Sequence, residues 1–174
     1  MDLLTIMQHR RSVRSYTKES VSAEQMEKIL QAGLLSASGR AIRPWEFIVV
    51  RDPQMLRQMA GARASGAQML KEADAAIVVL GDEEKSDVWT EDCCIAMANM
   101  HLMADSLGVG SCWVQGRLRD ASDGRTTEAY LRELLGYPEH LRLEAILSLG
   151  IPREHPKAYT LEELHREKVH EGRF

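Results

Sequence analysis

The chain has 174 residues, 44% hydrophobic and 28% charged, with a formal net charge of −4. That length and balance point to one globular domain that needs no disulfide staples, and they argue against a disordered chain or a general nucleic-acid binder. The longest clean apolar run, Ala75 to Leu80, falls far short of the ~20 residues of a membrane span, so no membrane partner is expected.

The opening segment carries Asp2 and then meets Arg10 and Arg11, unlike a signal peptide. Cys93 and Cys94 are neighbours and only Cys112 remains, so free thiols and a soluble, cytoplasmic protein are expected. The nine methionines suit gap-filling in a core or a subunit interface.

Residues 2–9 read as a short helix with Leu3, Leu4, Ile6 and Met7 inward, ending in a basic turn at His9–Arg14. Ser22 and Gln25 form a capping box for a second helix, whose Met26, Ile29, Leu30 and Leu34 fall at helical spacing. The small, polar run Ser36–Gly39 ends it, and a loop through Pro44 and Trp45 leads to a strand at Phe47–Val50. Asp52-Pro53 starts another helix, and an alanine-rich helix is expected over about 63–72. Ala75–Leu80, without alternation, reads as a strand buried on both faces. The longest helix is expected from a Thr90 cap to about Leu107, too apolar all round for a surface helix and closed by Gly108. A strand at about Ser111–Val114, a helix at about Thr127–Leu135 and a strand at Leu143–Leu149 complete the pattern. The polar tail from Arg153 looks unlikely to fold on itself and suited to packing on a partner subunit. Without repeat or linker, the reading is one domain, α+β or α/β, with one central sheet.

Arg10, Arg11 and Arg14 crowd three like charges beside Ser12. Either the turn is solvated and its arginines favour the negative end of the preceding helix, or an anion such as a phosphate sits among their forked donors. Read alone, the solvated turn is the simpler account. The loop Ser36–Trp45 offers small residues for close backbone approach, with Arg43 and Trp45 as charge and aromatic face; in isolation it is equally a helix end and a proline turn. No GxSxG elbow surrounds Ser38. Gly108-Val109-Gly110 follows a helix and precedes a strand, the reverse of the dinucleotide-loop order. The six histidines lack metal-motif spacing, so no metal site is expected, and no basic neighbour in sequence activates Cys112.

Together these pieces resemble the nitroreductase family of flavin enzymes. The resemblance rests on Arg10-Arg11-Ser12-Val13-Arg14-Ser15-Tyr16, on Ser36–Gly39 with Pro44–Phe47, on Gly108–Trp113 after the long helix, and on Leu147–Pro152, in order over nearly the whole chain. It implies an α+β fold with a central mixed sheet flanked by helices, and a homodimer holding FMN in a cleft built by both subunits. It further implies that Arg10, Arg11 and Ser12 hold the FMN phosphate, that Arg14 lies near the pyrimidine edge, and that Gln115 and Gly116 present main-chain groups to the reactive face. Ser36, Ala37 and Ser38 would come from the partner subunit and press backbone against the ring, and Lys157 of the tail is the candidate to finish the phosphate site. Where family members often carry Asn and Gln before Pro-Trp, this sequence has Ala41 and Arg43, the latter still expected at the flavin. Only about twenty residues separate Gly116 from Tyr137, which implies an open pocket without lid helices.

The activity so implied is an FMN-dependent oxidoreductase. NADH or NADPH would reduce flavin N5, and a small electron-poor acceptor such as a nitroaromatic or quinone would follow in ping-pong order, with no side-chain general acid. The alternatives are a flavin carrier or redox sensor without turnover, a specialised relative such as a dehalogenase or flavin-fragmenting enzyme, and a plain interaction domain that binds no flavin.

Overall fold

In the computed structural model, which describes residues 2–174, capping side chains set most helix starts. Asp2 accepts from the Thr5 amide at 3.1 Å ahead of α1 (Leu3–His9). The Ser22/Gln25 capping box is formed reciprocally at α2 (Ala23–Leu34). Asp52 caps α3 (Pro53–Met59), with proline where a missing N–H costs nothing. Thr126 opens α5 (Thr127–Leu135), and Gly136 closes it at φ +73°, a conformation natural only to glycine. The long helix α4 (Trp89–Ser106) follows Val88 rather than the expected Thr90. No side chain caps it; Glu91 and Asp92 in its first turn offset the positive end of the helix dipole instead.

The strands β1 (Trp45–Val50), β2 (Ala75–Asp82), β3 (Gly110–Gln115) and β4 (Leu141–Gly150) form one sheet in the order β1-β2-β4-β3. Every neighbouring pair is antiparallel, which corrects the expected mixed sheet. β2 and β3 do run the same way across α4, but β4 inserts between them in the opposite sense. Parallel pairing is confined, among the described residues, to an isolated bridge between Ser12 and Ser111.

Two cores lie on the two faces of this sheet. Alternation along β2 sends Ala76, Val78 and Leu80 to the core shared with α3 and α5, and Ala75, Ile77 and Val79 to the core shared with α2 and α4. Seen on both faces at once, β2 is buried throughout, its apolar run Ala75–Leu80 as the lack of alternation requires and Asp82 at its end as well. Met26, Met59, Met69, Met97 and Met100 are buried in these cores.

Three expectations fail. Residues 63–72 form no α-helix; after a 3-10 turn at Ala60–Ala62 the chain bends through Ser65-Gly66, with Gly66 at φ +84°, into a second 3-10 turn at Gln68–Lys71. Leu3, Leu4 and Met7, expected inward, are exposed, and so is Leu34 at the end of α2. The tail does fold on its own chain as far as Tyr159, whose amide donates to the Gln8 carbonyl at 2.9 Å and whose carbonyl accepts from the Gln8 side chain at 3.3 Å. Beyond it the tail is exposed, with short 3-10 turns at Leu161–Glu163 and Arg166–Lys168. No described helix is long and apolar enough to cross a membrane.

Candidate active site

The basic turn leaves α1 and is pinned to the start of β3, where the Val13 amide donates to the Ser111 carbonyl at 2.9 Å. Tyr16 is buried beneath it, its hydroxyl bonded to the Val13 carbonyl at 2.9 Å and to Ser148 Oγ at 2.7 Å. Arg10 meets His101 Nε2 at 3.1 Å, Arg11 donates to the Lys157 carbonyl at 3.0 Å and lies 3.9 Å over the Tyr159 ring, and Arg14 reaches only the Ser12 carbonyl. Every one of these partners is neutral. In a chain with 26 acidic residues, none of the described ion pairs includes Arg10, Arg11 or Arg14. Three half-buried or exposed cations without an ion pair, on a pinned loop, fit an anion with several oxygens. Lys157, 146 residues from Arg11, is brought beside it by the folded-back tail.

β3 is an edge strand, so half of its main-chain groups face away from the sheet. Ser111 gives its carbonyl to Val13 and Gln115 gives its carbonyl to Arg63, which marks the outward set; Trp113 belongs to it by alternation. From Ser111 to Gln115 this edge runs about 14 Å at the usual strand rise, with the basic turn at one end and Gln115 at the other. An elongated ligand with an anionic end and a flat end fits that layout. The Gln115 side chain is locked: it accepts from the Trp113 indole at 2.8 Å and donates to the Arg117 carbonyl at 3.2 Å. Gly116 turns the chain tightly, since a Cβ there would stand 2.5 Å from Leu143 Cδ2, and its amide is taken by the Glu144 carbonyl at 3.1 Å. Glu144 is the extra residue where the β2–β4 register shifts between Val79 and Leu80. That bulge lets its carbonyl accept from both Gly116 and Arg117, and burial pushes its carboxyl above the usual carboxylate range.

The small-residue loop lies elsewhere. Ser36 is buried, its hydroxyl donating to the Ala32 carbonyl at 2.9 Å and accepting from Asn99 at 2.8 Å, so it has only main chain to offer a ligand. Ala37 is exposed, Ser38 accepts from the Arg43 amide at 2.9 Å, and the Gly39 amide donates to Asp92 at 2.7 Å. Arg40, Ala41 and Arg43 all hold positive φ, +53° to +56°, where L-residues are strained. The loop touches Asp92 and Asn99, seven residues apart on one side of α4. The basic turn and β3 network touch Cys94, His101 and Asp105, about 200° around the same helix. Within one chain, α4 separates the loop from the basic turn.

Residues 7–75 and 59–151 match the model of the nitroreductase family. The chain belongs to the nitroreductase family. A relative from Archaeoglobus fulgidus, assigned as an NADH dehydrogenase/NAD(P)H nitroreductase, is 40% identical, with 96% of this chain and 98% of the relative covered. An FMN-dependent nitroreductase from Clostridium difficile R20291 superposes with a TM-score of 0.95 at 41% identity, covering 98% of this chain and 99% of its own. A Desulfovibrio desulfuricans protein assigned as a nitroreductase and solved in complex with FMN has a TM-score of 0.79 at 26% identity, covering 100% and 98%.

In this nitroreductase-family chain the fold thus gathers Arg10, Arg11, Ser12, Arg14 and Lys157 at the start of β3 and places Gln115 and Gly116 at its end. Ser36, Ala37, Ser38 and Arg43 stand on the other side of α4. Sequence reasoning missed His101, whose Nδ1 bonds Ser111 Oγ at 2.5 Å while Nε2 faces Arg10, and missed a clasp of His9, Asp105 and His155. In that clasp the buried Asp105 carboxylate meets His9 at 2.8 Å and His155 at 3.3 Å, tying α1 and the tail to the end of α4. Its members lie 96 and 50 positions apart, which no local motif exposes.

His101 yields a pH prediction. Burial first, then the Arg10 guanidinium, lowers its pKa to about 4 despite the opposing charge of Asp105. A base whose folded pKa lies below its unfolded value of 6.5 takes a proton more readily when unfolded. Its contribution is therefore full above pH 6.5 and declines as pH falls toward 4, by about 3 kcal/mol in all. Urea unfolding of His101→Gln across that range should show lower stability at neutral pH but a shallower acid decline than the wild-type chain.

Proposed function

We propose that the protein is an FMN-dependent NAD(P)H oxidoreductase that works as a homodimer and passes electrons to nitroaromatic, quinone or similar acceptors in ping-pong order. The observation that carries this reading is the unbalanced arginine turn at the head of an open sheet edge. Arg10, Arg11, Ser12 and Lys157 would hold the FMN phosphate, Arg14 the pyrimidine side of the ring, and the outward main chain at Gln115 the reactive side. FMN, when bound, supplies the hydride acceptance and electron delivery. The chain supplies position and charge.

The position of α4 supports a two-chain site. Ser36, Ala37, Ser38 and Arg43 cannot reach a ring held by their own basic turn, because α4 lies between. A second copy could present them. The outer side of α4 carries Ile95 and Ala98, both exposed, and Leu102, half-buried, at helical spacing, and Leu3, Met7 and Leu35 add exposed apolar surface around it. A symmetric partner packed there would bury that surface and lay its loop against this chain's β3 edge.

The purified protein should keep a protein-perturbed flavin spectrum after FMN addition and desalting, and should oxidise NADH or NADPH steadily with a quinone. Retention without turnover would leave a flavin carrier. A protein that never retains FMN would reduce the likeness to shared architecture.

A further inference from the structure

Beyond Gln115 the chain enters a second basic cluster, separate from the turn at the head of β3. Arg117 and Arg119 line a cavity of about 360 Å³ directly after Gly116, and Arg63 lies behind them with its guanidinium on the Gln115 carbonyl at 2.5 Å. Burial, and then the nearby charge of Arg119, disfavour the charged form of Arg63, so these like charges are close enough to be felt. None of Arg63, Arg117 and Arg119 takes part in an ion pair among the described residues. Carboxylates line the same cavity, yet Glu83 and Glu128 are engaged by Arg142, and Asp120 pairs with neither Arg117 nor Arg119.

The loop that carries the two arginines is fixed at both ends. Arg117 donates its amide to the Glu144 carbonyl at 2.8 Å, and the Arg119 carbonyl accepts from Thr127 at 2.8 Å. Between them Leu118 is held at φ +56° and is 77% exposed, a strained conformation for a branched side chain that turns its apolar surface to solvent. Trp89 forms an aromatic wall with Arg117 5.8 Å from its ring centre. Arg63 donates to the Gln115 carbonyl and Arg119 to the Leu118 carbonyl at 2.9 Å, so both hold neutral partners only. Cations without an ion pair on a pre-set loop, beside an aromatic wall and an exposed leucine, suit an anionic group carried on a ring.

We propose that Arg117 and Arg119, backed by Arg63, receive a carboxylate or phosphate on the molecule that approaches the Gln115 end of β3, making this chain selective for anionic substrates. The proposal rests on the reading of β3 as the flavin edge. The anion could belong to the acceptor, as in a nitrobenzoate, or to the nucleotide donor, as in the 2′-phosphate of NADPH.

Two measurements test it. Trp89 fluorescence, with Trp89→Phe to identify the signal, should be perturbed by 4-nitrobenzoate at lower concentration than by nitrobenzene, or by NADP⁺ at lower concentration than by NAD⁺. Because this titration does not need the flavin, it stands even if the cofactor assignment falls. In flavin-loaded protein, Arg117→Ala with Arg119→Ala should lower kcat/KM for 4-nitrobenzoate or for NADPH about 10- to 100-fold, as loss of charge-assisted bonds does, and leave its counterpart without that anionic group, nitrobenzene or NADH, unchanged. Arg119→Lys should retain part of the preference. A drop for 4-nitrobenzoate alone assigns the anion to the acceptor, and a drop for NADPH alone assigns it to the donor. Equal treatment of charged and neutral partners by wild-type and double variant would overturn the proposal.

Discussion

Replacing Arg10 and Arg11 together by alanine is expected to weaken FMN binding roughly 10²- to 10⁴-fold, since each charge-assisted contact is worth about 1.5–3 kcal/mol. The estimate follows from what these side chains touch in the protein alone. Arg10 meets a neutral histidine and Arg11 a carbonyl and an aromatic face, so neither charge is spent on a carboxylate. The Arg11 contacts also brace the tail, so the alanine variant should free residues near Lys157 and Tyr159 as well. Arg10→Lys with Arg11→Lys separates the two effects, because it keeps the charge and loses the forked geometry. Its affinity should fall between the other two. Isothermal titration of FMN into each folded variant gives the comparison, and wild-type affinity in the alanine variant would remove the phosphate site from this turn.

How much of this was legible beforehand depends on the range of the interactions. Ser22 with Gln25 and Asp52 with Pro53 act within one turn of chain, and the structure forms both as read. The burial of β2 over Ala75–Leu80 was legible too, because an apolar run without alternation leaves no polar face for solvent. The alanine-rich stretch at 63–72 misled, since composition favours a helix there while Gly66 and the packing of Met69 and Leu70 into the core favour short turns. Leu3, Leu4 and Met7 misled in another way: helical spacing reports an apolar face but not whether the cover comes from the same chain.

The candidate site was legible only in part, for the same reason. The arginine turn is a cluster in sequence, yet its residues alone left a solvated turn as the simpler account. What the folded chain adds is that none of the three arginines takes part in a described ion pair, which leaves their charge available to an anion. His101, Glu144 and the His9–Asp105–His155 clasp gave no sequence signal, because each works through partners far away in the chain. The left-handed residues Arg40, Ala41 and Arg43 occupy the loop where the sequence departs from the family's usual Asn and Gln. Asparagine tolerates that conformation better than alanine or arginine, so the departure carries backbone strain as well as changed chemistry.

Tyr16 joins stability to the site, and its loss should have the largest structural effect. It closes the motif that begins at Arg10, it is fully buried, and its ring packs so closely on β4 that a Cβ on Gly150 would stand 2.7 Å from it. Its hydroxyl donates to the Val13 carbonyl and lies 2.7 Å from Ser148 Oγ, whose single proton is shared between the Tyr16 oxygen and the Cys112 carbonyl 3.3 Å away. One side chain therefore fastens the basic turn to both β3 and β4. Tyr16→Ala empties a large buried volume and should cost about 3–5 kcal/mol of unfolding free energy. Tyr16→Phe keeps the ring, strands the Val13 carbonyl and leaves the Ser148 hydroxyl only the Cys112 carbonyl, for about 1–3 kcal/mol. Urea unfolding measures both. The phenylalanine variant also isolates the functional consequence, because it removes no charge: if Ser12 and Arg14 are positioned through Tyr16, FMN should bind it more weakly than wild type while the protein remains folded. Wild-type stability in Tyr16→Phe would show that the hydroxyl network is dispensable. Wild-type FMN affinity in the same protein would show that the turn holds its shape without it.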